Sequence, residues 1–232
     1  MIGHYITIAL RNFLKYKVQN FIAIVGMTIG ISFFTIGYDW MEYETSYDSF
    51  HPDSERIYQV YGIDKRNGKK SGMLPMVLGE KLLQEFPEVE ALAMYYIQYL
   101  NPVKLDNKEL GKFDFKSVDE HFFELFPPTI IAGKTDRLLE TPQELVITED
   151  FARKYWSSPE EAVGTALSVG FRYKDPVTIV AVMANLPANS NFRAEGYRQD
   201  ILSRKFQSYK APDKLWRIKE EQIFILLKEN VD

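Results

Sequence analysis

The stretch that decides the fold is KYKVQNFIAIVGMTIGISFFTIGYDWMEYE, residues 15–44. Its central part, residues 18–38, contains 21 amino acids without Asp, Glu, Lys, Arg or His. At about 1.5 Å per residue, a helix of this length spans roughly 30 Å, the thickness of the hydrocarbon core of a bilayer. A core helix of a soluble protein normally keeps one polar face, which this stretch lacks. The pattern predicts a transmembrane helix over residues 18–38.

A cleavable signal peptide is the main alternative, because it also combines a basic head with an apolar run. Signal peptides have a shorter apolar region of about 7–15 residues, followed by a small-x-small cleavage site. Here the run is followed by GYDWMEYE, which offers no such site. The sequence therefore favours an anchor that is not cleaved.

The charges that flank this stretch predict its orientation. Arg11, Lys15 and Lys17 precede it, and no acidic residue occurs before Asp39. The positive-inside rule then places the N-terminus in the cytoplasm and residues 40–232 on the other side of the membrane.

Two further patterns concern the membrane segment. Apolar residues at helical spacing over 1–17 predict a cytoplasmic amphipathic helix lying on the membrane surface, with a longer, tilted membrane helix as the alternative. Within the predicted span, Gly26 and Gly30 form a G-x-x-x-G pattern. Small residues one turn apart allow a second helix to approach closely, so these two glycines are helix-packing candidates.

The rest of the chain predicts a neck over 39–53 and an α+β domain over 54–232, because short β-branched runs alternate with short helical patterns. Turn residues at Pro127, Pro128 and Gly133 suggest a junction between two lobes. Strands are predicted at 54–63, 89–100, within 104–118, and at 145–147, 164–169, 177–187 and 222–227. Helices are predicted between Pro75 and Pro87, within 117–126 with Ser117 or Asp119 as cap, at 149–156, and after a loop within 189–206.

Six residues of the stretch YDSFHPDSERIY and its surroundings form what we call the neck motif: Tyr47, Asp48, Phe50, His51, Arg56 and Tyr58. Charge-assisted hydrogen bonds from Asp48 and Arg56 are expected to fix a turn. His51 lies three residues after Asp48 and is interpreted as a structural residue, with a metal or acid–base role as the alternative.

Composition excludes several functions. The chain has no cysteine, which rules out disulfides, thiolate metal sites and a cysteine nucleophile. From Asp39 onward the chain contains 32 acidic and 25 basic residues. This excess of negative charge argues against nucleic acid as a partner. No Gly-x-Ser-x-Gly, His-Glu-x-x-His or Gly-x-Gly-x-x-Gly motif occurs. We therefore predict no enzyme activity and no catalytic, cofactor-binding or metal-binding residues.

Several stretches, in the same order, resemble MacB-like (FtsX-like) ABC transporter permeases. The resemblance covers nearly the whole chain, and its individual motifs are modestly specific. The stretches are ITIALRNFLKYKVQNFIAIVGMTIGISF, YDSFHPDSERIYQV, LVITEDFARKYW, AVGTAL, VTIVAVMANLPANSNF, DILSRKF and EEQIFILLKEN.

The resemblance implies that residues 54–232 form a two-lobed periplasmic core domain, with a porter-like lobe and a smaller lobe, in a dimeric permease of the bacterial inner membrane. It also implies a cytoplasmic ABC ATPase that binds ATP on a separate subunit, and it allows a periplasmic adaptor. Family members normally have further membrane helices after this domain, so a chain with one span is expected to be a fragment cut before the second. A single-pass, membrane-anchored binding or sensing module is the alternative function, and an anchored envelope enzyme is a third.

Overall fold

The structure is a computed structural model that describes residues 2–96, 101–105, 108–170, 176–199, 216 and 219–229. The chain divides into two compact units, Met1–Tyr47 and Asp48–Asp232. Each unit is described by itself below.

The first unit consists of two helices, α1 (Ile2–Lys15) and α2 (Lys17–Thr45), separated at Tyr16. The side-chain amide of Asn20 donates a hydrogen bond of 2.8 Å to the carbonyl oxygen of Phe13. This contact gives a partner to a carbonyl group of the last turn of α1, which has none within its own helix.

Helix α2 is long and apolar enough to cross a membrane, and none of its side chains is buried within the protein. The hydroxyl groups of Thr28, Ser32 and Thr35 donate to carbonyl oxygens four residues earlier, at 2.8, 2.8 and 3.0 Å. These bonds leave few polar groups unsatisfied on an apolar surface. The helix continues beyond the predicted span, 18–38, and its last residues belong to the predicted neck, 39–53.

The second unit contains strands β1 to β14 and helices α3 to α6. The strands are β1 (Ile57–Gln59), β2 (Gly62–Ile63), β3 (Lys70–Ser71), β4 (Leu74–Pro75), β5 (Val89–Tyr96), β6 (Asn101–Leu105), β7 (Lys108–Phe113), β8 (Phe115–Val118), β9 (Ile130–Gly133), β10 (Glu144–Thr148), β11 (Ala166–Val169), β12 (Pro176–Met183), β13 (Gly196–Gln199) and β14 (Lys219–Leu227). The helices are α3 (Met76–Glu85), α4 (Phe122–Leu125), α5 (Glu149–Tyr155) and α6 (Pro159–Ala162).

One sheet holds most of these strands together, in the order β1-β14-β5-β8-β13-β10-β12-β11-β6-β7. In addition, β4 pairs with β14 and β9 pairs with β12, whereas β2 and β3 form a separate hairpin. The pairs β10–β12 and β8–β13 are parallel, and the remaining described pairs are antiparallel. The mixture of short helices and a mixed sheet confirms the predicted α+β class.

Hydrophobic cores lie on both faces of this sheet, because successive side chains of a strand point to opposite sides. In β10, Val146 belongs to a core rich in aromatic rings, whereas Leu145 and Ile147 belong to the core beneath α5. A third, smaller core beneath α3 contains Leu74, Leu92 and Ile223. Burial on both faces explains why β10 is a continuous apolar run.

The structure corrects several local predictions. The single strand predicted at 54–63 is divided into β1 and β2. Ser117, a predicted helix cap, lies in β8, and the residue that precedes α4 is His121, without a side-chain cap. The other predicted cap, Asp119, lies between β8 and α4. Residues 196–199 of the predicted loop and helix form β13, because β8 and β10 pair with it on either side.

Two other predictions have mixed outcomes. A junction between two lobes was suggested around Pro127, Pro128 and Gly133. This region contains β9, which pairs with β12 in the main sheet. Residues 97–100 of a predicted strand and 200–206 of the predicted helix lie outside the described residues.

Gly133 at the end of β9 is the glycine that we expect to be least replaceable. It has a φ of +91°, and a methyl group there would overlap the carbonyl oxygen of Val180. Gly164 has a similar φ of +84° but open space around it. We predict that Gly133→Ala lowers the free energy of unfolding by about 3 kcal/mol or more, and Gly164→Ala by about 1–2 kcal/mol. Chemical denaturation followed by tryptophan fluorescence measures both; equal losses would contradict the packing argument.

Candidate functional site

The neck motif spans the boundary between the two units. Tyr47 ends the first unit, where its ring contacts that of Tyr43 edge-on at 5.4 Å. The other five residues of the motif belong to the second unit, which begins at Asp48. The first part of the predicted neck is therefore helical, and the last part belongs to the folded domain.

Asp48 attaches the start of the second unit to a distant loop. Its backbone N–H donates to the carbonyl oxygen of Asn189 at 3.0 Å. Its carboxylate accepts hydrogen bonds from the Ser190 hydroxyl at 2.8 Å, and from the backbone and side-chain amides of Asn191 at 3.2 and 2.8 Å. Asp48 has a φ of 54°, a left-handed conformation that aspartate adopts more readily than most residues.

Ser190 connects Asp48 to the aromatic core. The Ser190 hydroxyl oxygen accepts a hydrogen bond from the backbone N–H of Phe192 at 3.2 Å. The carbonyl oxygen of Phe192 accepts a hydrogen bond from the Tyr197 hydroxyl group. The Phe192 ring is 3% exposed and packs 4.3 Å from the ring of Phe126. The position of Asp48 is thus fixed by groups that are themselves held by the core.

His51 lies among aromatic rings rather than in a polar site. Its ring centroid is 4.3 Å from that of Phe50, 5.0 Å from Phe126 and 6.1 Å from Phe192. The residue is 5% exposed, and its Nε2 atom is buried without a hydrogen-bond partner. Burial lowers the pKa of His51, against the opposing charge of Asp48. The ring is thus packed among aromatic side chains, and the structural role of His51 stays a prediction.

Arg56 and Tyr58 lie at the edge of the main sheet. The Arg56 guanidinium donates to Asp53 at 2.6 Å, to Glu90 at 2.9 Å and to the carbonyl oxygen of Leu227 at 2.8 Å. The hydrogen bonds to Asp53 and then Glu90 raise the pKa of Arg56. Tyr58 is half exposed in β1. Asp48 and Arg56 therefore do not fix one shared turn, as the sequence suggested, but hold different parts of the domain.

A surface cleft of about 480 Å³ opens at the ends of β8, β13, β10 and β12, which lie in the middle of the main sheet. Charged and amide side chains from four segments line it, namely those of Asp114, Asp150, Lys154, Asn185, Arg193 and Glu195. Sequence reasoning did not predict that these residues form a site. The available signal was the segment PANSNF, because Asn, Ser and Pro directly after a strand are typical of an ordered turn.

Glu195 organises the polar groups of this cleft. One of its carboxylate oxygens lies 2.7 Å from Lys154 Nζ, and the other accepts a hydrogen bond of 3.0 Å from the backbone N–H of Asp114. The bond to Glu195 is the main cause that raises the pKa of Lys154. Asp114 in turn pairs with Lys116 at 2.7 Å. Across the described ranges, no group of three or more His, Asp or Glu side chains is placed to hold a metal ion.

Gly26 and Gly30 both lie in α2. A side chain added at either glycine would meet no other described atom within 4 Å, so this face of the helix is open in the single chain. Their role in packing against another helix stays a prediction.

The chain matches the family model described as the MacB-like periplasmic core domain, over residues 20–232. It belongs to this family. The family is a component of ABC transporter permeases and not a typical enzyme family. A comparison with curated proteins gave no match.

Solved structures with similar folds agree with the family membership. A domain of a protein named as a permease from Porphyromonas gingivalis has a TM-score of 0.62 at 20% identity, over 78% of this chain and 79% of that one. The periplasmic region of MacB from Actinobacillus actinomycetemcomitans has a TM-score of 0.50 at 13% sequence identity, over 76% of this chain and 75% of that one. The extracellular domain of YknZ, a noncanonic ABC-type transporter from Gram-positive bacteria, has a TM-score of 0.50 at 9% sequence identity, over 75% of this chain and 84% of that one. At these identities the similarity shows the fold alone.

The hydrogen bonds of Asp48 lead to a stability prediction. Asp48→Ala removes the acceptor of three donors, and Ser190 is only 6% exposed, so water replaces the carboxylate poorly. We expect a loss of about 2–3 kcal/mol in the free energy of unfolding, and about 1 kcal/mol for Asp48→Asn, which keeps one oxygen acceptor. Asp53→Ala is the control, because it removes a more exposed ion pair to Arg56 that contributes at most about 1 kcal/mol. If Asp48→Ala unfolds at the same denaturant concentration as Asp53→Ala, the anchoring role of Asp48 is wrong.

Proposed function

We propose that this chain is the N-terminal portion of an ABC transporter permease. In this role it couples the ATP-driven motion of a separate ATPase subunit to export or mechanotransmission in the cell envelope. The observation that carries the proposal is the match to the MacB-like periplasmic core domain over residues 20–232, a range that includes most of a helix long and apolar enough to cross a membrane. A domain tethered in this way receives any displacement of the helix through its own main chain.

The proposed orientation follows from charge. Arg11, Lys15 and Lys17 lie before the apolar stretch, which favours a cytoplasmic N-terminus and a periplasmic second unit at the inner membrane. The ATPase subunit, on the cytoplasmic side, then provides the ATP site, and this chain contributes no catalytic group. A second copy of the permease chain and a periplasmic adaptor are further partners of the proposed assembly, whereas nucleic acid is not.

Mechanical coupling requires a stiff attachment at the point where the chain reaches the domain. The hydrogen bonds of Asp48 to Ser190 and Asn191 supply such an attachment, since both partners belong to a loop that the aromatic core holds in place. A pull on residue 47 is therefore transmitted to the loop and the core rather than absorbed by local uncoiling. In this mechanism the neck motif acts as a mechanical joint, without chemistry of its own.

A second candidate function is a membrane-anchored, extracytoplasmic binding or sensing module. The polar cleft favours it, because the domain presents a concave surface with charged side chains that coupling alone does not require. The two functions differ in whether ATP turnover on another subunit drives the activity of this domain.

Coupling can be tested with a flexible insertion in the joint. A Gly/Ser segment placed between Ser46 and Tyr47 should reduce ATP-dependent activity of the complete permease–ATPase complex in vesicles by about tenfold or more, since a flexible linker transmits little force. ATP binding by the ATPase should stay unchanged. The control is the same insertion after Gly68, in the exposed turn between β2 and β3. ATP-dependent activity that survives the first insertion would count against coupling and favour the sensing function.

A further inference from the structure

The cleft and the Asp48 attachment are two parts of one loop. Residues 184–195, which we call the connecting loop, join β12 to β13. Asn185, at its start, and Arg193 and Glu195, at its end, line the cleft. Between them, Ser190 and Asn191 donate hydrogen bonds to Asp48. A change in the position of this loop therefore affects both places.

The topology of the sheet explains why polar groups converge at the cleft. Strands β10 and β12 are parallel to each other, and β13 runs antiparallel to β10 and parallel to β8. The carboxyl ends of β10 and β12 and the amino ends of β8 and β13 therefore lie side by side, where these four neighbouring strands begin or end. Crevices at the carboxyl ends of parallel strands are recurrent binding positions in α/β sheets.

The charges in the cleft are largely neutralised within the protein. Lys154 pairs with Glu195, and Asp114 pairs with Lys116. Asp150 and Arg193 are exposed, line the cleft and form no ion pair among the residues that the structure describes. Among the described residues that line the cleft, Asp150 therefore offers a negative charge and Arg193 a positive charge to a ligand, although, after Glu195, the charge of Asp150 also helps to raise the pKa of Lys154.

We propose that the cleft binds a polypeptide segment of a partner protein that carries one basic and one acidic side chain. We further propose that binding is coupled to the attachment of Asp48 through the connecting loop. The basic side chain pairs with Asp150 and the acidic one with Arg193. A polypeptide fits better than a free zwitterion, because exposed ion pairs contribute little by themselves and need neighbouring contacts that exclude water.

The coupling follows from the spacing of the residues in the loop. Asn191, which donates to Asp48, is two residues before Arg193. When Asp48 holds Asn191, the backbone that carries Arg193 is held at the wall of the cleft, so that a ligand loses less free energy in ordering the loop. By linkage, a ligand that fixes Arg193 also strengthens the attachment of Asp48. This inference goes beyond the proposed function, because it holds whether or not an ATPase drives the domain.

The experiment uses the full chain in lipid nanodiscs and a dye-labelled hexapeptide, capped at both ends, with one lysine and one glutamate. Fluorescence anisotropy should show saturable binding. Binding should weaken by up to about fivefold when alanine replaces either charged residue of the peptide, because one ion pair is then lost. Asp150→Ala and Arg193→Ala in the protein should have effects of the same size. The control is Arg153→Ala, which is on the same helix as Asp150 but pairs with Glu149.

The coupling is measured with the same peptide on Asp48→Ala, and on Asp48→Asn in case the alanine variant is unstable. Either variant should bind the peptide about fivefold more weakly, although Asp48 does not line the cleft. Unchanged affinity in a folded variant would overturn the coupling. The proposed site would be overturned if the hexapeptide does not bind. It would also be overturned if the hexapeptide with both charges and those with a single charge bind with equal affinity. The uncapped dipeptide of lysine and glutamate is the final control, and equal affinity for it would overturn the choice of a polypeptide ligand.

Discussion

The apolar surface of α2 is the constraint on which the rest of this account depends. None of its side chains is buried within the protein, so a long stretch of apolar area would face water in an aqueous environment. Transfer of such area out of water contributes about 25 cal/mol for each Å², and a helix is one of the few structures that satisfies its own backbone in lipid. The hydroxyl groups of Thr28, Ser32 and Thr35 also bond back to the helix. Lipid is therefore the environment that we propose for α2, and this proposal determines on which side of a membrane the folded domain lies.

Asp48 is the first residue of the folded domain, and its hydrogen bonds fix the position at which the chain enters that domain. Its carboxylate lies where the chain leaves one compact unit and begins the other, and its partners lead through Ser190 to the rings around Phe192. A mechanical joint and a binding cleft are normally formed by different segments of a domain. Here both use the connecting loop, because it bonds to Asp48 in its middle and lines the cleft at its ends. Binding in the cleft and force at the joint are thus expected to influence each other.

The sequence predicted those parts of the structure that depend on local pattern. The apolar stretch, the strand and helix of LVITEDFARKYW and the α+β class follow from hydrophobic periodicity and β-branched residues, which are visible within a dozen positions. The partners of the neck motif were not predictable in this way, because Ser190 is 142 residues from Asp48. Strand β13 was missed because its strand character comes from pairing with β8 and β10 rather than from its own composition. The cleft was missed for the same reason, since Lys154 and Glu195 are 41 residues apart.

Sidedness is the most direct test of the central claim that α2 crosses the membrane with the folded domain outside the cytosol. The chain has no cysteine, so single substitutions provide clean reporters. Lys69→Cys lies in the exposed turn between β2 and β3, and Gly3→Cys lies in α1. With a membrane-impermeant maleimide on intact spheroplasts, the account predicts labelling of Lys69→Cys at once and of Gly3→Cys only after permeabilisation. Labelling of Gly3→Cys in intact cells, or protection of Lys69→Cys, would contradict it.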